Sequence, residues 1–219
     1  MKHSRYLVER QIVALKKLFE KFSIPYDETL LSQFREYISL IIDWSDRVSL
    51  VSSGDGGYLV DRHIFEGVLA ARKALIPFWG RLLDIGSGAG FPVVPIKLIR
   101  PDIRCFALDS NRKKVLFLKK VAQTLGLLGF EPLWTRFELV SFPFRFDAIT
   151  VRAVGNDEAI LRRAGELLLP TGKLLFFKAD KTKTPLIERG GVEIPLGDIS
   201  ASATKRVIVV FGIREAGSG

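Results

Sequence analysis

The segment Asp84-Ile85-Gly86-Ser87-Gly88-Ala89-Gly90-Phe91 constrains this chain more than any other stretch. The apolar pair Leu82-Leu83 leads into it, and a helix-compatible run, Val93 to Ile99, leads out. Strand, glycine loop and helix in that order are how an open α/β sheet holds a nucleotide-like ligand at its strand ends. Side chains in the loop would keep a ligand off the backbone and would not tolerate positive φ, so glycine is needed there. Taken alone, the glycines also fit a loop that holds no ligand.

The spacing narrows the ligand. A dinucleotide fingerprint runs G-x-G-x-x-G, its third glycine lying where helix and strand pack closely. Here the glycines fall at 86, 88 and 90, and Phe91 stands where that fingerprint has its last glycine. The acid Asp84 closes the strand. G-x-G-x-G after an acid resembles the binding loop of S-adenosylmethionine-dependent methyltransferases, which implies that cofactor and makes Asp84, Gly86, Gly88 and Gly90 candidates to bind it. Ile103 to Leu108 is a second β-prone run, ending in Asp109. A carboxylate about 20 residues past the loop, at the second strand's carboxyl end, can accept hydrogen bonds from both ribose hydroxyls of an adenosine. The alternative for Asp109 is a cap on the following helix.

Hydrophobic periodicity places the remaining elements. Leu7 to Phe22 carries Val8, Ile12, Leu15, Leu18 and Phe19 at close to a 3.6-residue period, and Pro25 ends it. Asp27 is positioned to cap a second helix, with Leu30, Leu31, Phe34, Ile38, Ile41 and Ile42 on one face. Ser52 to Gly57 is a turn cluster, and a third helix is predicted over Leu59 to Ala74. Strands are predicted at Leu82 to Ile85, Ile103 to Leu108, Phe130 to Trp134, Phe146 to Val151, Lys173 to Phe177 and Arg206 to Ile213. Helices follow Asn111, as their cap, and span Asp157 to Leu169, with Pro170-Thr171-Gly172 as a turn; Ala179 to Thr204 reads as short and irregular. The alternation predicts an α/β, Rossmann-like fold: a mainly parallel sheet flanked by helices, with an N-terminal helical extension. Residues 1–78 are read as that extension, 79–214 as the cofactor-binding core and 215–219 as a loose tail.

Composition bounds the setting. A chain of 219 residues with one cysteine, Cys105, has no internal disulfide and asks for no oxidising compartment. The first residues mix Lys2, Arg5, Glu9 and Arg10 into an amphipathic pattern unlike a signal peptide. No stretch approaches the ~18 uncharged apolar residues of a membrane span. A soluble cytoplasmic protein with no membrane partner is expected. The net charge of +9 favours a polyanionic partner, most simply nucleic acid, although scattered lysines also make an ordinary solvated surface. Basic runs lie at Arg112-Lys113-Lys114, Lys119-Lys120, Lys178 to Lys183 and Lys205-Arg206.

Three further segments carry a family resemblance: the loop with Phe91-Pro92, then Arg136-Phe137-Glu138, then Asp147-Ala148-Ile149-Thr150-Val151-Arg152-Ala153-Val154. Together they resemble the bacterial small-subunit rRNA guanine-N7 methyltransferases, the glucose-inhibited division protein B family. Trp44, Val48-Ser49-Leu50 and Arg62-His63 agree in outline with its N-terminal part. The resemblance covers residues 30 to 178 and again 205 to 213. It implies methyl transfer to one guanine in the 530 loop of 16S rRNA, with 16S rRNA or the small ribosomal subunit as partner and no metal. Departures are Ser45 and Ser49 in place of asparagines, Val51 in place of threonine, and Glu66-Gly67 in place of an Asp-Ser pair.

The chemistry is compatible with these residues. Guanine N7 presents a lone pair, so attack on a sulfonium methyl needs no prior proton removal. Such an enzyme works by alignment and electrostatics. A single cysteine excludes the two-cysteine chemistry of some cytosine-C5 enzymes, and no Asn-Pro-Pro-aromatic tetrapeptide of the exocyclic-amine enzymes is present. By resemblance, Phe91 contacts the cofactor, or else it is a core aromatic. Phe137 and Glu138 meet the adenine, unless Glu138 is an ordinary surface carboxylate. Arg152 touches the cofactor or the incoming base, or pairs structurally with Asp147 or Asp157. His63 is a second catalytic candidate, or a packed, hydrogen-bonded histidine. Lys97 either snorkels or meets phosphate. Trp44, Trp79 and Trp134 read as core or interface residues, with only Trp44 as a platform for an unpaired base. The basic N-terminal helices and the Lys178 to Lys183 loop are expected to grip RNA. The alternatives are a methyltransferase acting on another nucleic-acid site or a small molecule, and an NAD(P)-dependent oxidoreductase.

Overall fold

The computed structural model describes residues 2–45, 47–51, 58–73, 75–179, 184–197, 199 and 205–212. Two long helices come first, α1 (Lys2–Lys21) and α2 (Glu28–Ser45). A π-helical turn, Val60–Ile64, runs into α3 (Phe65–Arg72). Then follow β1 (Arg81–Ile85), α4 (Val93–Ile99), β2 (Arg104–Asp109), α5 (Arg112–Leu125), β3 (Phe130–Trp134), a 3-10 turn at Phe137–Leu139 and β4 (Phe146–Arg152). The chain continues with α6 (Asp157–Leu167), β5 (Leu168–Ala179), α7 (Thr184–Glu188), β6 (Val192–Pro195) and β7 (Arg206–Gly212).

The strands form one sheet in the order β3-β2-β1-β4-β5-β7-β6. The first five are parallel neighbours, and β7 runs antiparallel between β5 and β6. The strand order therefore reverses between β1 and β4, which opens a crevice at their carboxyl ends. Both faces of the sheet are covered, so the central strands are apolar almost throughout and alternate residues serve different cores. Leu82, Cys105, Ala107, Ala148 and Leu175 point to a cluster built with α1 to α5. Leu83, Phe106, Leu108, Ile149, Val151 and Leu174 point the other way, onto Ile160, Ala164 and Leu167 of α6. Leu31, Phe34 and Ile38 of α2 and Phe19 of α1 are buried in the same cluster as the sheet.

Several expectations are corrected. The third helix is not uniform, because it opens as a π turn. The Val60 amide there donates to the Gln11 side-chain oxygen at 2.9 Å and is buried against α1. The strand predicted at Lys173 begins five residues earlier, at Leu168, and α6 ends at Leu167. Leu168 pairs with Phe146 before the register shifts to Ala148 opposite Lys173, so Pro170-Thr171-Gly172 lies within the strand as an irregularity. The stretch read as irregular contains α7 and β6; β6 gains its pairing from β7, which local sequence does not reveal. Ser52 to Gly57, Ala74, Ile213 and the 215–219 tail lie outside the described residues. No helix among the described residues is long and apolar enough to cross a membrane.

Lys97 neither snorkels nor faces phosphate. It is 3% exposed, and its ammonium donates to the carbonyls of Pro101 and Ile103. Burial lowers its pKa from the usual lysine value. The departure at Gly67 also has a packing reason. A Cβ there would lie 2.6 Å from the Pro92 carbonyl oxygen and 2.9 Å from Pro95, so α3 could not approach α4 as closely with the family's serine.

The fully buried Tyr37 of α2 donates its hydroxyl to the Ala89 carbonyl at 2.7 Å, fastening the helix to the glycine loop. Burial, aided by the Asp84 charge, raises its pKa well above the usual tyrosine value. Tyr37→Phe leaves that carbonyl unsatisfied and is expected to cost about 1–3 kcal/mol, read as a lower denaturant midpoint at unchanged m-value.

Candidate functional site

A cavity of about 250 Å³ opens at the reversal point, where the carboxyl ends of β1, β2 and β3 meet the turn after β4. Ile85, Leu108, Phe137 and Val154 give it apolar walls; Gly86, Asp109, Ser110 and Glu138 give it polar ones. Gly86 has φ +69°, and a Cβ on it would lie 2.4 Å from Val154 Cγ2. Only a hydrogen leaves both the loop conformation and the space beside Val154 intact.

Asp109 binds the loop to the second strand. Its Oδ2 accepts from the Gly88 amide at 2.8 Å and its Oδ1 from the Asn111 amide at 2.8 Å. A carboxylate has about four acceptor sites, so two remain for a ligand. The cap on α5 is Asn111, whose side chain accepts from the Lys113 and Lys114 amides, so Asp109 is not the cap. Within the loop, the Ser87 amide donates to Leu108 O at 2.9 Å and the Gly90 amide to Ser87 O at 2.6 Å. The backbone is thus shaped before any ligand arrives.

Asp84 lies beneath the loop and does not line the cavity. It is fully buried; its Oδ1 accepts the Thr150 hydroxyl at 2.6 Å, and its Oδ2 has no hydrogen-bond partner among the described residues. Burial pushes its pKa up to about 7, against the hydroxyls of Ser87 and Thr150. The Asp109 charge adds to the rise and Arg152 opposes it. Cys105, buried in β2, has its thiol pushed up to about 12 by burial and offers no nucleophile.

A second cluster surrounds Arg152 at the end of β4. Its partner is neither Asp147 nor Asp157. Asp147 accepts the Arg81 amide, and Asp157 pairs with Lys178 at 2.7 Å. Arg152 Nε instead donates to Glu66 Oε2 at 3.0 Å, and Nη2 donates to the Arg62 carbonyl at 2.9 Å and lies 2.7 Å from His63 Nδ1. Arginine has no acceptor, so Nδ1 accepts and the neutral ring carries its proton on Nε2. The His63 ring stacks on Phe91 at 5.0 Å and 17°, and the Arg152 guanidinium lies 5.9 Å from the same ring. Glu66 is fully buried and also receives Arg206 from the start of β7.

The structure therefore gathers Gly86, Asp109, Phe137 and Glu138 around one cavity, with Gly88 joined to it through Asp109. It gathers His63, Phe91 and Arg152 into an adjoining cluster that the cavity wall does not include. Sequence reasoning does not find Glu66 as the partner of Arg152; it enters only as a departure from a motif, and the available signal is a lone acid in the apolar run of α3. The tryptophans are also redistributed. Trp44 packs edge-on against Phe117 at 5.6 Å, whereas Trp79 and Trp134 are exposed.

The GidB family profile, described as rRNA small subunit methyltransferase G, matches residues 30–194. The chain belongs to that family. The ribosomal RNA small subunit methyltransferase G of Streptococcus pneumoniae is 30% identical over 176 residues, 78% of this chain and 74% of the relative. Ribosomal RNA small subunit methyltransferase G 1 of Syntrophobacter fumaroxidans is 35% identical over 160 residues, covering 70% and 72%. The crystal structure of an S-adenosylmethionine-dependent methyltransferase from Aquifex aeolicus superposes with a TM-score of 0.54 at 15% identity, over 69% of this chain and 90% of that one. That superposition places this GidB-family chain in the Rossmann-like methyltransferase fold.

The Asp84 environment predicts a pH dependence. Its folded pKa of about 7 lies above the unfolded carboxylate value, so between about pH 4 and pH 7 the native state holds a proton that the unfolded chain has lost. Stability therefore falls as pH rises through that window and levels off above it. Asp84→Asn is expected to flatten this slope, gaining on the parent by about 1 kcal/mol or more at pH 8 relative to pH 5 in urea titrations.

Proposed function

We propose that the chain transfers a methyl group from S-adenosylmethionine to N7 of a guanine in the 530 loop of 16S rRNA. The observation that carries this reading is that the family match, residues 30–194, contains every residue of the cavity wall. The cavity also suits the cofactor chemically. It has a glycine where a side chain would fill it, apolar walls for a planar ring and a carboxylate with unused acceptor sites. When bound, the cofactor supplies a methyl group on a sulfonium.

The chain's residues then have separate tasks. Gly86, Gly88 and Gly90 let the backbone approach the cofactor. Asp109 accepts from the ribose hydroxyls, and Phe137 and Glu138 flank the adenine. Asp84 acts from below, holding the loop through its backbone and Thr150. Three of the five Arg152 N–H groups are held by Glu66, Arg62 and His63, leaving two for the ligand or the guanine O6 acceptor. His63 and Phe91 act through Arg152, as positioning residues. N7 carries its own lone pair, so no residue is required as a base. The base leaves its stack to reach the cavity, and the reaction takes place in the cytoplasm on 16S rRNA or the small subunit.

Borohydride–aniline cleavage of 16S rRNA, from cells with and without the gene, measures the product directly. One cleavage in the 530 loop that depends on the gene is expected; an identical pattern in both samples would overturn the assignment. Asp109→Ala is expected to weaken S-adenosylmethionine affinity by about 1–3 kcal/mol in calorimetry, through lost hydrogen bonds. Unchanged affinity would remove Asp109 from the site.

A further inference from the structure

The positive charge of this chain is unevenly matched. On α1 the cations are interleaved with Glu9 and Glu20; Arg35 of α2 pairs with Glu9, and Lys16 with Glu28. Lys178, expected to grip RNA, is held by both carboxylate oxygens of Asp157, and 180–183 lie outside the described residues. Helix α5 differs. Its 14 residues, RKKVLFLKKVAQTL, contain basic side chains at 112, 113, 114, 119 and 120 and no acid. Arg112, Lys113, Lys119 and Lys120 are exposed and form no ion pair among the described residues.

Helix stability does not explain this arrangement. The first turn of a helix carries partial positive charge from its free N–H groups, so Arg112, Lys113 and Lys114 sit where cations are unfavourable. Nor does any acid lie one turn away along the helix to pair with Lys119 or Lys120. The inner face, Val115, Phe117, Leu118 and Val121, already anchors the helix.

The position of α5 supplies the reason. It starts directly after Asp109 and Ser110, both on the cavity wall. At the end of β3, Trp134 is 60% exposed; its indole N–H donates to Ser110 O at 3.0 Å, and the Arg112 guanidinium lies 5.4 Å from its ring. An exposed aromatic tethered to the cavity wall thus heads a row of unpaired cations about 12 Å long, from Arg112 to Lys120.

We propose that this surface is the track for the RNA strand flanking the target guanine, with phosphates on Lys113, Lys119 and Lys120 and an unpaired base stacked on Trp134. Unpaired bases stack on exposed aromatic side chains, and a carboxylate-free cationic row matches a phosphodiester chain and repels no part of it. The inference rests on the methyltransferase reading and relocates the RNA contact from the N-terminal helices to α5.

Binding of a 16S rRNA transcript to the full chain, measured against salt, tests it. Lys113→Gln/Lys119→Gln/Lys120→Gln is compared with Arg5→Gln/Arg10→Gln/Lys17→Gln on α1. The α5 variant is expected to reduce the slope of log affinity against log salt by about 2–3, and the α1 variant by less than 1. Trp134→Ala is expected to weaken binding by about fivefold or more with the slope unchanged, and Trp134→Phe to restore most of it. The α5 variant should melt no lower than the parent, since its first-turn charge is relieved. Calorimetry with S-adenosylmethionine separates the two levels: a parent protein that does not bind it defeats the methyltransferase reading. A parent that binds cofactor and RNA, with equal slopes for the two triple variants or no effect of Trp134→Ala, overturns the α5 track alone.

Discussion

The cluster around Arg152 depends on one buried carboxylate. Glu66 of α3 is fully enclosed and paired with Arg152 from β4 and Arg206 from β7. A buried charge is costly unless its partners are well placed, and removal of one partner leaves the others uncompensated. The triad therefore ties three elements into a single arrangement. It fixes Arg152 at the end of β4, and Arg152 in turn orients His63 through Nδ1 and brings the Arg62 carbonyl into place. The π-helical turn belongs to the same device, since Arg62, His63 and Glu66 all reach Arg152 from that turn and the start of α3.

A neighbouring set of hydrogen bonds shapes the glycine loop from three sides. Tyr37 holds Ala89 from the N-terminal helices, Asp109 holds Gly88 from the second strand, and the Ser87 hydroxyl returns to Asp84 O at 3.1 Å. A loop prepared in this way has less conformational freedom to lose when a ligand binds. The N-terminal helices thus contribute to the shape of the cavity without lining it. Phe91 makes the same link in another way: buried between Tyr37 and His63, it joins the loop's last residue to α2 and to the Arg152 cluster.

Much of the fold was legible in the sequence. The central strands have both faces covered, and apolar runs bounded by glycine or aspartate mark such strands. The Asp27 and Asn111 caps were legible because capping is local: the Leu30 amide donates to Asp27 at 2.7 Å and the Lys113 amide to Asn111 at 2.9 Å. The candidate site's gathering around one cavity was legible in part. Gly86, Asp109, Phe137 and Glu138 share one cavity because each lies at or just after the carboxyl end of a strand on the same edge. The extent of β5 and the existence of β6 were not legible, since both depend on pairing with distant strands. Lys97 was misjudged because a helical lysine next to a turn can bury its ammonium against carbonyls that no periodicity reveals.

By itself, the sequence determined what short-range sterics and hydrophobic alternation can encode: the order of strands and helices, the glycine loop, the acid ending the second strand and the caps. Tertiary structure alone decided which charges meet. Arg152 bonds to Glu66 across 86 residues, and Arg206 bonds to the same carboxylate across 140. It also left the exposed cations of α5, a helix that begins beside the cavity, without an ion pair among the described residues. Charge pairing depends on distance and burial in the folded molecule, and composition reports only the sum.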